Sequence, residues 1–299
     1  MKKPLITAIA ALALSTGAQA ETKFYGKMNV STGFDDASED FSVNSHASRL
    51  GVKGSDDLGF ATVIYQAEYG NNIDAGGTLG ARNTYLGLDY DGLGTVKLGR
   101  MDTPLKVSQG KFDLFNDVFD ISDGLLAENR ANNQLNYTSE KMGNLQVSGS
   151  AIFEQTNSDG YSFSAEFEKD ALYAAVAYNK DVQDGDAGVP LDTMRATVVY
   201  NQNNLRLGAM VNHVDAGAGD DTGFAFNLAV TQGLHVFKAQ FISSDQRTDG
   251  GLDTGYQAVM AGVDRKLAKT TKAYVYARSS ESDNLGSAAE AVVGLEHKF

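Results

Sequence analysis

Apolar and polar residues alternate with a period of two through most of this chain. In "AVVGLEHKF" (291–299), Val293, Leu295 and Phe299 share one side, whereas Glu296 and Lys298 share the other. Such alternation predicts a β-strand with one apolar and one polar face. The pattern recurs in an even number of segments and predicts an all-β chain of sixteen strands: 24–34, 41–54, 60–69, 81–90, 95–101, 132–138, 145–154, 161–168, 172–180, 191–201, 205–214, 222–231, 234–243, 254–265, 271–278 and 288–299.

The connections between these segments alternate between short turns and longer links. Residues 91–93 and 232–233 are tight turns rich in Gly, Asp or Gln, whereas 70–80 and 181–190 are longer Gly-rich or acidic links. Short turns at one rim and longer loops at the other are typical of an up-and-down antiparallel barrel that crosses a membrane. A soluble β-sandwich is the alternative interpretation, but it would not readily keep this rhythm along the chain.

One connection, residues 102–131, is far longer than a usual loop. It combines apolar residues such as Leu105, Phe112 and Phe115 with several acids, and apolar side chains at that density are rarely left in water. We therefore expect this loop to fold back against the inner wall of the barrel. An exposed flap or a partner-binding loop is the alternative. The acids of this connection are Asp102, Asp113, Asp117, Asp120, Asp123 and Glu128.

The amino-terminal residues have the three parts of a secretory signal peptide. Lys2 and Lys3 are basic, residues 5–14 form an apolar run, and Ala18-Gln19-Ala20 is a small-x-small cleavage site. We therefore predict that residues 1–20 are cleaved and that residues 21–299 form one domain. Losing two lysines moves the formal net charge from −13 to −15 (−13 − 2), which argues against nucleic acid as a partner.

Composition narrows the chemistry further. The chain has no cysteine, so an exported protein of this kind needs another source of stability, and a continuous hydrogen-bonded sheet supplies one. Its four histidines stand in no metal-ligand spacing, and no Gly-x-Ser-x-Gly motif is present. We therefore predict no metal, no cofactor and no catalytic residue. A barrel enzyme and an adhesin are the alternatives to a channel.

Several segments resemble signature segments of the general porins of Gram-negative outer membranes. They are "FYGKMNV" (24–30), "SRLGVKG" (48–54), "RNTYLGL" (82–88), "GTVKLGRMDTPL" (94–105) and "VGLEHKF" (293–299). The resemblance implies a sixteen-stranded outer-membrane barrel, embedded in lipid and lipopolysaccharide, that forms homotrimers in which each subunit passes small hydrophilic solutes and ions. It implies that the third loop narrows the pore. It also implies that the outer-membrane assembly machinery reads the closing strand and Phe299.

The same resemblance implies a constriction in which basic wall residues face the acids of the inward loop, so that a field crosses the pore. Alternation agrees for Lys27, which lies opposite Met28 and Val30. It agrees as well for Arg49 and Lys53, which lie opposite Leu50 and Val52. Arg82 and Arg100 share the side of leucines, so we expect a bulge or a strand end there, with Gly99 as the flexible point. The full basic set is Lys27, Arg49, Lys53, Arg82, Arg100 and Arg130.

One departure from the family pattern and one local expectation complete the site. Asn136 stands where several relatives carry a basic residue, and Arg130 compensates for it in this interpretation. Asp113 and Asp117 are four residues apart, which on a short helical turn directs both toward the lumen. Phe112, Phe115, Val118 and Phe119 then hold the loop to the wall. Acids and bases nearly offset, so we expect no strong ion selectivity.

Overall fold

A computed structural model describes residues 21–36, 40–75, 79–115, 117–153, 159–183, 190–215, 217, 219–245, 255–283 and 286–299. The predicted signal peptide, residues 1–20, lies outside the described residues. The strands are β1 (Lys23–Asp35), β2 (Asp40–Ser45), β3 (Arg49–Asp57), β4 (Thr62–Gly70), β5 (Gly80–Tyr90), β6 (Gly94–Asp102), β7 (Arg130–Ser139), β8 (Leu145–Ile152), β9 (Gly160–Lys169), β10 (Leu172–Gln183), β11 (Pro190–Gln202), β12 (Leu205–Asp215), β13 (Asp220–Gln232), β14 (His235–Ser244), β15 (Tyr256–Ala268), β16 (Thr271–Ser282) and β17 (Gly286–Lys298).

The strands form one antiparallel sheet that closes on itself. Strand β1 pairs with β17, with Thr32 opposite Val293, and on its other side with both β2 and β3. Since β2 and β3 pair with successive parts of one strand, they are two halves of a single barrel strand, and the barrel has sixteen. The predicted continuous strand 41–54 is therefore wrong. The chain leaves the sheet at residues 46–48, where Ala47 has a positive φ of 44°.

Alternation sorts side chains between the two faces of the closed sheet. In β13, Phe224, Phe226 and Leu228 are exposed on the outer surface, whereas Ala225 and Asn227 are buried inside. An apolar outside and a polar inside reverse the arrangement of a soluble protein and suit a barrel surrounded by lipid. Among the described residues, no helix is both long and apolar enough to cross a membrane.

The long connection between β6 and β7 runs inside the barrel. The backbone N–H of Leu105 donates to Ser162 of β9 (3.1 Å), the carbonyl of Phe112 accepts from Asn227 of β13 (2.5 Å), and Asp117 pairs with Lys27 of β1. A segment that contacts strands so far apart around a closed sheet lies within it. Its regular parts are α1 (Pro104–Val107) and a 3-10 helix (Ile121–Asp123).

Candidate pore constriction

An aromatic cluster holds the inward loop, residues 103–129, to one side of the barrel. Phe112, Phe115 and Phe119 are each at most 1% exposed. The ring of Phe115 meets that of Tyr276 edge-on, with 5.0 Å between centroids. Complete burial of a phenylalanine side chain contributes about 1.5–3 kcal/mol, so these rings fix the path of the loop. The inner-wall residues of this cluster are Val199, Met210, Ala225, Ile242, Ala258, Met260, Tyr274, Tyr276 and Val292.

Arg195 of β11 anchors the returning half of the loop. Its side chain is fully buried, pairs with Glu128, and donates from Nη2 to the carbonyl of Leu126 (3.2 Å). Its Nε donates to Asn212 of the neighbouring strand (3.0 Å), which also bonds the Leu126 carbonyl. A buried cation needs such a full set of partners. Glu128 therefore binds the wall at β11 rather than the predicted basic residues.

Two further basic residues bind the loop. Arg278 of β16 pairs with both Asp123 and Glu290. Lys238 of β14 donates from Nζ to the carbonyl of Leu114 (2.6 Å). The sequence-based set missed Arg195, Lys238 and Arg278. Sequence alternation could have assigned these three residues to the lumen, because outward-facing residues flank each of them.

The tip of the loop meets the wall at three of the predicted residues. Asp117 pairs with Lys27, and Arg49 Nη1 lies 4.0 Å from the same carboxylate. His46, at the break between β2 and β3, has Nδ1 3.1 Å from the Asp117 carbonyl and Nε2 2.6 Å from Ser31 Oγ. The structure thus brings Lys27, Arg49 and Asp117 together, with His46 beside them.

An acid that the sequence analysis missed lies within the basic wall. Glu68 of β4 accepts from Arg82 Nε (2.8 Å) and Tyr25 (2.9 Å), and Arg49 Nε lies 3.5 Å away. The register between β4 and β5 slips at this point, with one extra residue in β5. This bulge lets Arg82 reach the inner face in spite of its parity, as expected. Glu68 reduces the net positive charge of the wall.

The remaining predicted basic residues have their main contacts outside the inward loop. Arg130, the first residue of β7, pairs with Asp102 (2.9 Å), the last residue of β6. Asp102 is therefore a strand residue and not part of the inward loop. Lys53 Nζ lies 5.3 Å from the centre of the Tyr25 ring.

Arg100 does not contact the inward loop. It donates from Nη1 to Asn132 (2.7 Å) and from Nε to the carbonyl of Ala81 (3.0 Å). It borders a depression that it shares with Leu98 and Phe153, both exposed on the outer surface. The predicted irregularity is present, since Gly99 has a φ of 141° and the register shifts beside it. That irregularity leaves Arg100 outside the lumen.

The loop acids point in different directions. Asp113 Oδ1 accepts from the N–H of Phe115 (3.1 Å) and from Gln240 of β14 (3.3 Å), whereas Asp117 faces β1. The predicted helical turn that would align Asp113 with Asp117 is wrong, because the described residues between 112 and 120 are not helical. Asp120 instead caps the 3-10 helix by accepting from the N–H of Ser122 (2.9 Å).

Asp113 is the loop acid whose protonation the fold alters most clearly. Removal from water raises the pKa of this carboxyl to about 7, and the negative charge of Asp120 acts in the same direction. Its hydrogen bonds from Phe115 and Gln240 oppose that shift only in part. Asp113 therefore gains and loses its proton near neutral pH.

A closed barrel of sixteen strands with an apolar exterior, a charged interior and an inward loop is the architecture of channel-forming outer-membrane proteins. Residues 6–285 match the model of the Gram-negative porin family. The chain therefore belongs to that family and is an outer-membrane diffusion channel for small hydrophilic solutes and ions. Family and fold indicate a channel rather than an enzyme.

Solved structures share this fold at low sequence identity. An anion-selective porin from Comamonas acidovorans is 18% identical, has a TM-score of 0.80, and is matched over 94% of this chain and 100% of its own. OmpT of Vibrio cholerae is 16% identical, with a TM-score of 0.76 over 96% of this chain and 99% of its own. OmpF of Salmonella typhi, in complex with daunomycin, is 16% identical, with a TM-score of 0.74 over 93% and 97%. Comparison with curated protein sequences gives no significant match.

Proposed function

We propose that residues 103–129 narrow the channel and that the charges around Asp117 govern which ions pass. The loop bonds to β1–β3 on one side and to β9–β16 on the other, which leaves the lumen beside β4–β7 as the route for solutes. Basic Arg49 and Arg82 lie along that route, and Asp117 projects from the loop. Fixed charges so close together act directly on passing ions, since the Debye length at physiological salt is about 8 Å.

The contact of Asp117 with Lys27 and Arg49 carries this proposal, and reversal potentials in planar bilayers under a salt gradient test it. Asp117→Asn should shift the preference of the channel toward anions, whereas Arg49→Ser should shift it toward cations. Lys141→Gln is a matched control, because it removes a charge from an exposed ion pair with Glu168 away from the loop. If both lumen variants behave like Lys141→Gln, the charges around Asp117 do not control ion passage.

We also propose that the channel is a homotrimer and that Phe299 is read by the outer-membrane assembly machinery. The fold is shared with a Vibrio cholerae OmpT structure described as a trimer form (TM-score 0.75, 16% identity). Purified protein should open in groups of three equal conductance steps and migrate as a heat-resistant trimer. A stable monomer that opens in single steps would refute the homotrimer. Normal outer-membrane insertion after deletion of Phe299 would argue against its role in assembly.

A further inference from the structure

A second polar site lies beneath the inward loop, near the rim that carries the short turns. A cavity of about 360 Å³ opens there between the loop and the ends of β11–β15. Arg206 and Asp113 both line it, together with Asn201, Asn203 and Asn204. No group among the described residues bonds the side-chain amides of these three asparagines. We call this cavity the lower niche.

Arg206 brings an uncompensated positive charge to the lower niche. Its Nη2 donates to the carbonyl of Lys111, two residues before Asp113, so guanidinium and loop converge. Its Nε is buried without a hydrogen-bond partner, and no carboxylate pairs with it among the described residues. Arg195 and Arg278, by contrast, are each bound to acids. A buried N–H without an acceptor is costly, so this guanidinium favours an incoming anionic group.

Asp113 brings an acceptor to the same niche. Its Oδ1 is occupied by Phe115 and Gln240, whereas Oδ2 has no bonded partner among the described residues. The other two charges lining the cavity, Lys238 and Asp264, lie 3.3 Å apart and offset each other. Within the described part of the chain, the lower niche thus presents one free cation and one free carboxylate oxygen, with amides between them.

We propose that the lower niche binds small zwitterionic solutes that carry both a carboxylate and a protonated amine, as free amino acids do. Arg206 takes the carboxylate, for which its planar fork of donors is suited, and Asp113 takes the ammonium group. The asparagine amides accept or donate hydrogen bonds to the remaining polar atoms. This inference rests on the proposed function, which places residues 103–129 inside the channel, because Asp113 belongs to that loop.

Three probes of similar size test the inference on the unaltered protein. Alanine, propionate and isopropylammonium carry both charges, only the carboxylate and only the protonated amine, respectively, at pH 8. Each is titrated against the salt conductance of many channels in a planar bilayer at pH 8, where Asp113 is mostly ionised. Alanine should reduce the conductance at a concentration about tenfold lower than either of the others, since losing one charged hydrogen-bond partner weakens binding by about that factor. Equal concentrations for all three would overturn the proposal.

Variants then assign the site. Arg206→Gln and Asp113→Asn should each raise the half-saturating concentration of alanine about tenfold. Lys97→Gln is the matched control, because Lys97 lies on the other side of the barrel, 5.5 Å from the centre of the Tyr85 ring, and should leave that concentration unchanged. Equal effects of Arg206→Gln and Lys97→Gln would show a general charge effect and refute the niche.

The two proposals fail in distinguishable ways. Salt conductance alone reports whether each variant forms channels, and the three-probe comparison needs no variant. If Asp117→Asn leaves the reversal potential unchanged while alanine still binds selectively, the constriction proposal fails and the niche stands. If Asp117→Asn shifts the reversal potential while alanine binds no better than the other probes, the niche fails and the constriction stands.

Discussion

Individual charged residues inside the barrel differ in how fully they are compensated. Arg195 has a carboxylate, a carbonyl and an amide around it, whereas Arg206 bonds a single carbonyl. Glu68 gathers Arg82, Arg49 and a tyrosine hydroxyl. We expect Arg195, which is buried and fully paired, to hold the loop in place, and Arg206, which is less compensated, to remain available to solutes.

We expect Asp113 to make the ion preference of the channel sensitive to pH near neutrality. Its pKa of about 7 means that lowering the pH from 8 to 6 neutralises one lumen carboxylate, so cation preference should fall across that range. The raised pKa also links protonation of Asp113 to the stability of the fold. The stabilising contribution of the protonated carboxyl is fully present below its ordinary pKa and is lost as the pH rises through 7. Reversal potentials at several pH values measure the selectivity step, which Asp113→Asn should lack. If the variant keeps the step, another group such as His46 is responsible.

At the scale of elements, contacts with the barrel wall fix the position of the inward loop, and its own secondary structure contributes little. Its helix α1 has four residues and its 3-10 helix has three, too few to be stable alone. Its position depends on buried phenylalanines and on Arg195, Lys238 and Arg278 of the wall. Gly223 of β13 leaves room for Leu125, because any side chain there would meet Leu125 Cδ2.

Breaking the Arg195 anchor should loosen the returning half of the loop. Arg195→Met leaves the carboxylate of Glu128 buried without its main partner, and loss of one member of a buried pair costs about 3–5 kcal/mol. We expect a lower thermal unfolding temperature and a noisier open-channel current. Lys180→Met, which breaks an exposed pair with Asp192, is the control and should change little. Quiet currents and an unchanged unfolding temperature in Arg195→Met would contradict this anchoring role.

At the scale of the whole molecule, the pairing of β1 with β17 removes the free edges of the sheet. Phe299 extends this closure: its N–H donates to the Gly26 carbonyl (3.1 Å), and the Gly26 N–H donates to its carbonyl (2.9 Å). The ring of Phe299 lies over Gly26, where a Cβ would collide with it. Tyr25 covers Gly51 in the same way. At both positions, the absence of a glycine side chain thus lets an aromatic ring pack directly on the sheet.

Gly26→Val should therefore disturb closure more than the same change at Gly80. The added side chain displaces the Phe299 ring, so we expect a smaller fraction of heat-resistant folded protein, measured by the mobility of heated and unheated samples on gels. Gly80→Val is the control, because a Cβ at Gly80 has no atom within 4 Å. Similar folded fractions for the two variants would mean that seating of Phe299 does not limit closure.

Strand content and the division into outer and inner faces were predictable from the sequence, because each strand carries its own alternation and a sheet has only two faces. The phenylalanines that hold the loop were predictable for a related reason, since apolar residues at that density must be buried. Which face of the barrel Arg82 and Arg100 occupy was less predictable from the sequence. A bulge depends on the register with a partner strand, and two similar irregularities turned one arginine inward and left the other outside.

Only the tertiary structure decided which charges meet. Asp113 and Asp117 have helical spacing, yet Asp113 bonds β14 and Asp117 pairs with β1, because the described residues in this part of the loop are not helical. Arg195 and Arg278 became partners of the loop because the loop passes beside them. Glu68 joined the basic wall because a bulge in β5 directs Arg82 to it. Alternation assigns a side chain to the lumen from local sequence alone. Its partner across the lumen is set by long-range contacts, which no local pattern contains.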